Sequence, residues 1–342
     1  DEVKRELGID SVIKLASNEN PLGPSPKAIE AIKKAAEEVY LYPDGACFTL
    51  RKAMAEHLDV SEDMLIFGAG GDEIIFYLAM SLLNPGDDTI QADITFSEYE
   101  AATIIMDANT IKVPLKDWTY DVDGMVEQIT PKTRILTVTN PNNPTGTIVS
   151  PDVIERALDK LPENCCMFLD EAYYEYAEDP NYTKSIEWVK EGRNVVVLRT
   201  FSKIYGLAGL RIGYAVAPKH IIDMMERVRA PFNVSTIAQE AAVASLADPD
   251  QVKRSNKLNR ESLEYFYREL DKMGIVYTKS QANFVWVDTG KDCRFVFNEL
   301  LKRGMIVRTG DIFGCPTHIR VTTGTPDQNS RFIECLAEVM SL

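Results

Sequence analysis

Lys203 has surroundings that suit covalent chemistry better than they suit a surface charge. It follows the apolar run 195–198 and stands among hydroxyl residues and glycines. A lysine at the end of a buried strand can form an imine with an aldehyde, while Thr200, Ser202 and Arg211 offer hydroxyl groups and a guanidinium for one phosphate. Pyridoxal 5'-phosphate carries both groups. In isolation the segment would favour a strand-end lysine that reaches solvent, so the cofactor hypothesis depends on the other motifs.

A carboxylate and an asparagine-rich turn follow two other apolar runs. Asp170 comes directly after residues 166–169, where it can face a pyridine nitrogen and favour the protonated ring. Taken alone, it is an equally good helix N-cap. Residues 140–146, Asn-Pro-Asn-Asn-Pro-Thr-Gly, predict a rigid turn, and both Asn–Pro bonds are candidates for the cis form. Asn143 in this turn and Tyr173 after Asp170 could each donate to a phenolate oxygen.

A glycine-rich segment supplies a candidate phosphate cradle. Residues 68–73, Gly-Ala-Gly-Gly-Asp-Glu, stand between a predicted strand and a predicted helix. Backbone N–H groups at a helix N-terminus bind phosphate, although a tight turn between strand and helix explains the same pattern. The segment matches neither the dinucleotide-binding G-x-G-x-x-G pattern nor a P-loop.

The elements that must position these residues follow from the hydrophobic pattern. Helical periodicity marks residues 27–39, 49–58, 72–83 and 151–160. Short apolar runs predict strands at 64–67, 89–92, 110–113, 134–139, 166–169, 194–200 and 213–217. Strands that alternate with helices predict an α/β fold with a mostly parallel sheet. Ligands bind at the carboxyl ends of the strands in such sheets, and the polar motifs stand there.

The pattern changes from about residue 239 onward. A long helical stretch, 251–273, precedes strand-like runs at 284–287, 306–308 and 319–322. We therefore expect a large cofactor-binding domain over residues 40–238. Residues 239–342 should form a smaller α+β domain, together with the N-terminal segment 1–39, which is too short to build a core alone.

The composition excludes several classes of function. The 342-residue chain carries a formal net charge of −15, which argues against nucleic acid or an anionic membrane as the main partner. The six cysteines form no C-x-x-C pair and the three histidines lack ligand spacing, so we expect no metal site. No apolar run of spanning length or signal-like start is present, which predicts a cytoplasmic protein.

The motifs, in this order, resemble those of the fold-type I pyridoxal-phosphate aminotransferases over almost the whole chain. Residues 15–23, 42–45 and 320–325 resemble the histidinol-phosphate aminotransferase branch in particular. The resemblance implies a fold-type I α/β fold with a mixed, mostly parallel sheet and a smaller α+β domain. It also implies a homodimer that transfers the amino group of L-histidinol phosphate to 2-oxoglutarate.

The resemblance implies a role for each matching residue. Lys203 would bind the cofactor covalently and move a proton, Asp170 would pair with the ring nitrogen, and Asn143 and Tyr173 would hold the phenolic oxygen. The other implied residues are Gly71, Asp72, Thr200, Ser202 and Arg211 at the phosphate, Phe96 stacked on the ring, Tyr42 at the phosphate of the partner subunit's cofactor, and Arg320, Arg308 and Asn18 at the substrate. Arg320 would bind the α-carboxylate and Arg308 the substrate phosphate.

Purely structural roles for some of these residues, and rival functions for the protein, remain open. Phe96 also suits a core position, and Arg308 also suits a solvated strand end. Ile94 stands where relatives usually carry proline before the Thr-Phe step. The rival functions are an aromatic amino-acid aminotransferase, a phosphothreonine decarboxylase and a pyridoxal-phosphate-binding regulator. A regulator of that kind should have a winged helix and a basic face, and neither is evident in the sequence.

Overall fold

The computed structural model describes residues 12–179 and 182–342 of the chain. Its strands are β1 (Ile13–Lys14), β2 (Leu65–Gly68), β3 (Asp88–Ala92), β4 (Asn109–Val113), β5 (Thr133–Thr139), β6 (Cys166–Asp170), β7 (Val195–Thr200), β8 (Gly213–Val216), β9 (Val276–Thr278), β10 (Phe284–Asp288), β11 (Met305–Ile306), β12 (Arg308–Thr309) and β13 (His318–Thr322). Its α-helices are α1 (Pro26–Ala35), α2 (Phe48–Leu58), α3 (Gly71–Leu82), α4 (Glu98–Ile105), α5 (Val122–Glu127), α6 (Pro151–Leu158), α7 (Ser185–Lys190), α8 (Lys219–Glu226), α9 (Thr236–Leu246), α10 (Pro249–Met273), α11 (Cys293–Lys302) and α12 (Pro326–Met340).

Seven strands form the central sheet, in the order β2-β8-β7-β6-β5-β3-β4. β8 runs antiparallel to both of its neighbours, β2 and β7. All other neighbouring pairs are parallel. The predicted α/β fold with a mixed, mostly parallel sheet is confirmed.

The central strands are apolar throughout because both faces of the sheet are covered. In β7, Val195 and Val197 pack into one core cluster, whereas Val196 and Leu198 pack into the cluster on the other face. This alternation follows from the two-residue period of a strand. A strand buried on both sides needs apolar residues at nearly every position, which explains the continuous runs in the sequence.

A second, antiparallel sheet has the strand order β12-β13-β10-β9. It has its own core cluster, in which Phe266 of α10 and Phe332 of α12 meet edge to face at 5.6 Å. β1 pairs in parallel with β11 beside it, whereas Ala28 of α1 belongs to a core cluster of the central sheet. This arrangement agrees with a smaller α+β domain. The division of the chain at residues 40 and 238 stays a prediction.

The longest described helix, α10, is amphipathic. Its 25 residues bury Leu263, Phe266 and Leu270 at helical spacing. No helix within residues 12–179 or 182–342 is long and apolar enough to cross a membrane.

Two elements differ from the sequence expectation. The predicted strand 306–308 divides at Val307, so that Met305–Ile306 pairs with β1 and Arg308–Thr309 pairs with β13. The predicted helix 27–39 ends at Ala35 and tightens into a 3₁₀ turn over Ala36–Glu38, as helix ends often do. The first difference matters for function, because it carries Arg308 into the second sheet.

Candidate active site

The carboxyl ends of neighbouring strands bring the sequence motifs together. β5 leads into the turn 140–146, β6 ends at Asp170, and β7 ends at Thr200, three residues before Lys203. The N-terminus of α3 lies at the same edge, because β2 runs parallel to β7 across β8. These segments and the second sheet enclose a cavity of about 350 Å³.

Every predicted site residue except Tyr42 lines this cavity. These residues are Asn18, Gly71, Asp72, Phe96, Asn143, Asp170, Tyr173, Thr200, Ser202, Lys203, Arg211, Arg308 and Arg320. Ser17, Glu19 and Thr139 also line it, and the sequence motifs did not single them out. Ser17 and Glu19 flank Asn18, so the motif located the segment without showing which of its residues face the cavity.

Asp170 is a buried carboxylate held by two hydrogen bonds. Its Oδ1 accepts the backbone N–H of Ala172 at 2.9 Å, and its Oδ2 accepts the hydroxyl of Tyr99 at 2.5 Å. Removal from water raises the pKa of Asp170 from its ordinary 3.8 to about 6, and the Tyr99 hydrogen bond opposes this rise. A cationic group at this point of the cavity would stabilise the carboxylate.

Lys203 is half-buried and directs its amine toward the opposite wall. Its Nζ lies 3.4 Å from the carbonyl oxygen of Ser17 and 5.6 Å from the centre of the Tyr173 ring. The Tyr173 hydroxyl accepts a hydrogen bond from Asn18 Nδ2 at 2.7 Å, and Asn18 Oδ1 accepts the Thr322 hydroxyl at 2.9 Å. These bonds fix the tyrosine beside an amine that has no carboxylate partner in the described part of the chain.

Asn143 is fixed by the turn and by an arginine. The Asn140–Pro141 and Asn143–Pro144 bonds are both cis, as predicted. Asn143 Oδ1 accepts a hydrogen bond from Arg320 Nη1, which leaves the amide nitrogen as the available donor. The side chain can therefore donate to an anionic oxygen in the cavity.

Arg320 has no anionic partner within the part of the chain that the structure describes. It is 5% exposed, and its Nη2 donates to the carbonyl oxygen of Ala16 at 2.7 Å. Its buried Nε has no hydrogen-bond partner among the described residues. Burial, with a smaller contribution from the nearby charge of Arg308, lowers the pKa of Arg320 to about 10. A buried guanidinium with an unpaired N–H group and no anionic partner can bind a carboxylate.

Arg308 stands directly opposite Arg320 in the β12–β13 pair. Side chains of directly opposed residues lie on the same face of a sheet, and like charges there repel. Both arginines line the cavity, and neither has an ion-pair partner within residues 12–179 and 182–342. Two anionic groups bound between them would remove the repulsion.

The cavity also offers donors for a phosphate. Gly71 and Asp72 begin α3, where the backbone N–H groups of the first turn have no acceptors within the helix. Thr200, Ser202 and Arg211 line the same cavity. Arg211 Nη2 donates to Asp72 Oδ2 at 3.1 Å, so this carboxylate orients the guanidinium while the amides remain available.

Gly213 allows β8 to pack closely against the loop that precedes α3. It is the first residue of β8 and packs directly on the loop that begins α3. A Cβ at this position would lie 2.9 Å from the backbone nitrogen of Gly71 and 2.8 Å from the carbonyl carbon of Gly70. No side chain fits there unless the loop moves, because real contacts of a Cβ with backbone are longer.

Phe96 and Tyr42 have different surroundings from one another. Phe96 lines the cavity and meets the ring of Tyr99 edge to face at 5.7 Å. The carbonyl oxygen of Ile94, at the position where proline is usual, accepts a hydrogen bond from Asn142 Nδ2 at 3.1 Å, so this hydrogen bond holds the local turn.

Tyr42 is 83% exposed and stacks on Phe232, away from the cavity of its own chain.

The donor set fits pyridoxal 5'-phosphate. The cavity offers an amine for its aldehyde, a buried carboxylate for its ring nitrogen, and helix N–H groups, hydroxyls and a guanidinium for its phosphate. The described residues contain no cluster of histidine, cysteine, aspartate and glutamate side chains suited to a metal ion.

The buried charge of Asp170 predicts a pH-dependent stability in the cofactor-free protein. Its pKa is raised on folding, so the stability of the neutral carboxyl is present below pH 3.8 and is lost as the pH rises through about 6. The stability of Asp170→Asn relative to wild type should therefore increase between pH 4 and pH 7, by up to about 3 kcal/mol. Urea unfolding of both proteins across this range measures the difference. A difference that does not change with pH would contradict the assigned burial.

Comparison with known proteins agrees with this geometry. Residues 10–336 match the family model of aminotransferase class I and II. The chain is 50% identical to the histidinol-phosphate aminotransferase of Moorella thermoacetica, over 100% of this chain and 89% of the relative. It is 49% identical to that of Caldicellulosiruptor saccharolyticus, over 99% and 95%. The crystal structure of the Sinorhizobium meliloti histidinol-phosphate aminotransferase in complex with pyridoxal-5'-phosphate superposes with a TM-score of 0.93 at 27% identity, over 99% and 94%. The chain therefore belongs to the aminotransferase class I and II family.

Proposed function

We propose that this protein is a pyridoxal-phosphate-dependent histidinol-phosphate:2-oxoglutarate aminotransferase. The observation that carries the choice of substrate is the pair Arg308 and Arg320, which line one cavity from adjacent strands and lack anionic partners among the described residues. Two guanidinium groups suit a molecule with two anionic groups. 2-Oxoglutarate and glutamate each carry two carboxylates, and histidinol phosphate carries a phosphate. The full-length relatives with this activity support the same choice.

Pyridoxal phosphate, when bound, supplies an aldehyde that condenses with amines and a protonated ring that withdraws electrons from the bond being broken. Lys203 would hold the cofactor covalently through its aldehyde carbon. Asp170 would keep the ring nitrogen protonated, while Asn143 and Tyr173 hold the phenolic oxygen. Gly71, Asp72, Thr200, Ser202 and Arg211 would bind the phosphate, and Phe96 would stack on the ring.

The released Lys203 is the base and acid of the reaction in this proposal. Its amine would take the proton from the substrate carbon and hold it for the next transfer. Arg308 would bind the phosphate of histidinol phosphate. Arg320, with Asn18 beside it, would bind the α-carboxylate of glutamate or 2-oxoglutarate in the other half-reaction. One cavity therefore serves both substrates in turn.

Two rival activities would use the same catalytic residues. An aromatic amino-acid aminotransferase differs only in the pocket for the side chain, and a phosphothreonine decarboxylase differs in the bond that breaks. An assay panel of histidinol phosphate, phenylalanine, tyrosine, histidine and phosphothreonine with 2-oxoglutarate separates these activities when transfer and decarboxylation are measured independently.

Arg308→Ala tests the assignment of the substrate. We expect KM for histidinol phosphate to rise about ten- to a hundredfold, because a hydrogen bond to a charged group contributes about 1.5–3 kcal/mol. KM for phenylalanine, which has no phosphate, should change far less. Steady-state kinetics with both donors measures this ratio.

Arg294→Ala is the matched control for that experiment. Arg294 pairs with Asp311 and is largely exposed, and it does not line the cavity. Its removal should leave the ratio of the two KM values unchanged. An equal loss with both donors in Arg308→Ala would instead favour the aromatic aminotransferase.

We further propose that the protein is a cytoplasmic homodimer in which Tyr42 completes the cofactor site of the partner subunit. A group of exposed apolar side chains, in which Tyr42 stacks on Phe232, supports the dimer, since exposed apolar surface often marks an interface. The group comprises Val39, Tyr40, Leu41, Tyr42, Phe48 and Phe232. The six cysteines are free thiols, as expected for a reducing compartment.

Complementation between two inactive or impaired variants tests the role of Tyr42. Tyr42→Phe and Lys203→Ala place the two losses on different chains, so a mixed dimer would contain one site with both native residues. Co-expression of differently tagged chains, followed by purification of the mixed dimer, should give activity above that of either parent. A mixed dimer no more active than its parents would show that Tyr42 serves its own subunit.

A further inference from the structure

Tyr99 is a buried tyrosine that the sequence motifs did not single out. It lies on α4 and is 4% exposed. Its ring packs edge to face against Phe96 at 5.7 Å and against Phe168 at 5.9 Å. Two aromatic neighbours at fixed angles leave the hydroxyl little freedom, so the position of its oxygen is set by the core.

The Tyr99 hydroxyl makes the shortest side-chain contact of Asp170. The two oxygens are 2.5 Å apart, a distance typical of a hydroxyl that donates to a carboxylate. Asp170 lines the cavity and Tyr99 does not, so the tyrosine lies behind the carboxylate. Tyr99 can therefore influence a ligand in the cavity only indirectly, and its shortest contact with a lining residue is the hydrogen bond to Asp170.

A chain of buried hydroxyls fixes the direction of this hydrogen bond. The Tyr99 oxygen also lies 2.9 Å from the hydroxyl of Thr139, which lies 3.2 Å from that of Tyr120. An ionised carboxylate accepts only, so the single proton of Tyr99 points to Asp170 and Thr139 donates to Tyr99. The Tyr120 hydroxyl can then donate to Thr95, 2.7 Å away.

The charged and titratable groups around Asp170 affect the pKa values of both partners in this hydrogen bond. Burial and Asp72 at the start of α3 raise the pKa of Asp170, whereas Tyr99 and Lys203 lower it. Burial and the neighbouring Asp170 raise the pKa of Tyr99 well above its usual range, so Tyr99 stays a proton donor. Tyr120 also lies close enough to be affected by the charge of Asp170.

We propose that Tyr99 is a positioning residue that holds the Asp170 carboxylate ionised and turned toward the ring nitrogen of the cofactor. The inference rests on the proposed function, because it concerns how tightly and in which protonation state pyridoxal phosphate is held. Without the hydroxyl, the carboxylate loses a charge-assisted hydrogen bond. Because the site is buried, a water molecule does not readily take the place of the lost donor. Both the affinity for the cofactor and the chemical step then weaken.

Tyr99→Phe removes the hydroxyl and keeps the packed ring. We expect the dissociation constant of pyridoxal 5'-phosphate, measured by titration of the cofactor-free protein, to rise about tenfold. In the loaded enzyme kcat should fall by about the same factor with KM for the donor unchanged, since Tyr99 touches no substrate. A general packing defect would not separate kcat from KM in this way.

A double-mutant cycle tests whether Tyr99 affects cofactor binding through Asp170. In the Asp170→Asn background, Tyr99→Phe should change the dissociation constant by less than about twofold. Tyr120→Phe is the matched control, because it removes a hydroxyl from the same buried chain without touching Asp170. It should also stay within about twofold of wild type.

Three results would overturn the proposal. They are an unchanged dissociation constant in Tyr99→Phe, an equal loss with and without the Asp170 carboxylate, and an equal loss in Tyr120→Phe. Each of these leaves the proposed function intact if wild type binds the cofactor and transfers amino groups. A wild type that does not bind pyridoxal phosphate would reject the proposed function itself, and this inference with it.

Discussion

The buried carboxylate of Asp170 is the constraint on which the rest of the site depends. It stands at the end of a strand that is covered on both faces, where an unpaired negative charge is costly. The protein provides one backbone N–H and one tyrosine hydroxyl for it, which stabilise the charge in part. Under the proposed function, the protonated ring nitrogen of the cofactor would supply the compensating cation.

Two positively charged residues of the same cavity also lack anionic partners in the part of the chain that the structure describes. Arg308 and Arg320 are cations that the described protein leaves without anions, and they stand side by side on adjacent strands. A net charge of −15 gives the protein no general attraction for anions, so these two residues must create that attraction locally. The site therefore contains charges that the described residues leave without full partners.

The sequence predicts much of this site for a definite physical reason. In a parallel sheet the carboxyl ends of the strands lie at one edge, so the polar residues after β5, β6 and β7 had to meet. Lys203, Asp170 and Asn143 could be located in this way without knowledge of side-chain contacts. The continuous apolar runs likewise predicted the central strands, because a strand covered on both faces needs them.

Other features depend on packing that a sequence pattern does not encode. Tyr99 stands three residues after Phe96 and looks like an ordinary core aromatic; only the orientation of α4 brings its hydroxyl to Asp170. The division of the strand at Val307 depends on two different pairing partners, β1 and β13. The role proposed for Tyr42 would require a second chain, so contacts within its own chain do not test it.

The most direct test of the central claim is to locate the cofactor on the chain. The purified protein is incubated with pyridoxal 5'-phosphate, reduced with borohydride so that any lysine-bound cofactor becomes permanently attached, digested, and mapped by mass spectrometry. The account predicts a single modified peptide with the added mass on Lys203, and no such peptide in Lys203→Ala. Attachment to a different lysine, or none at all, would contradict it.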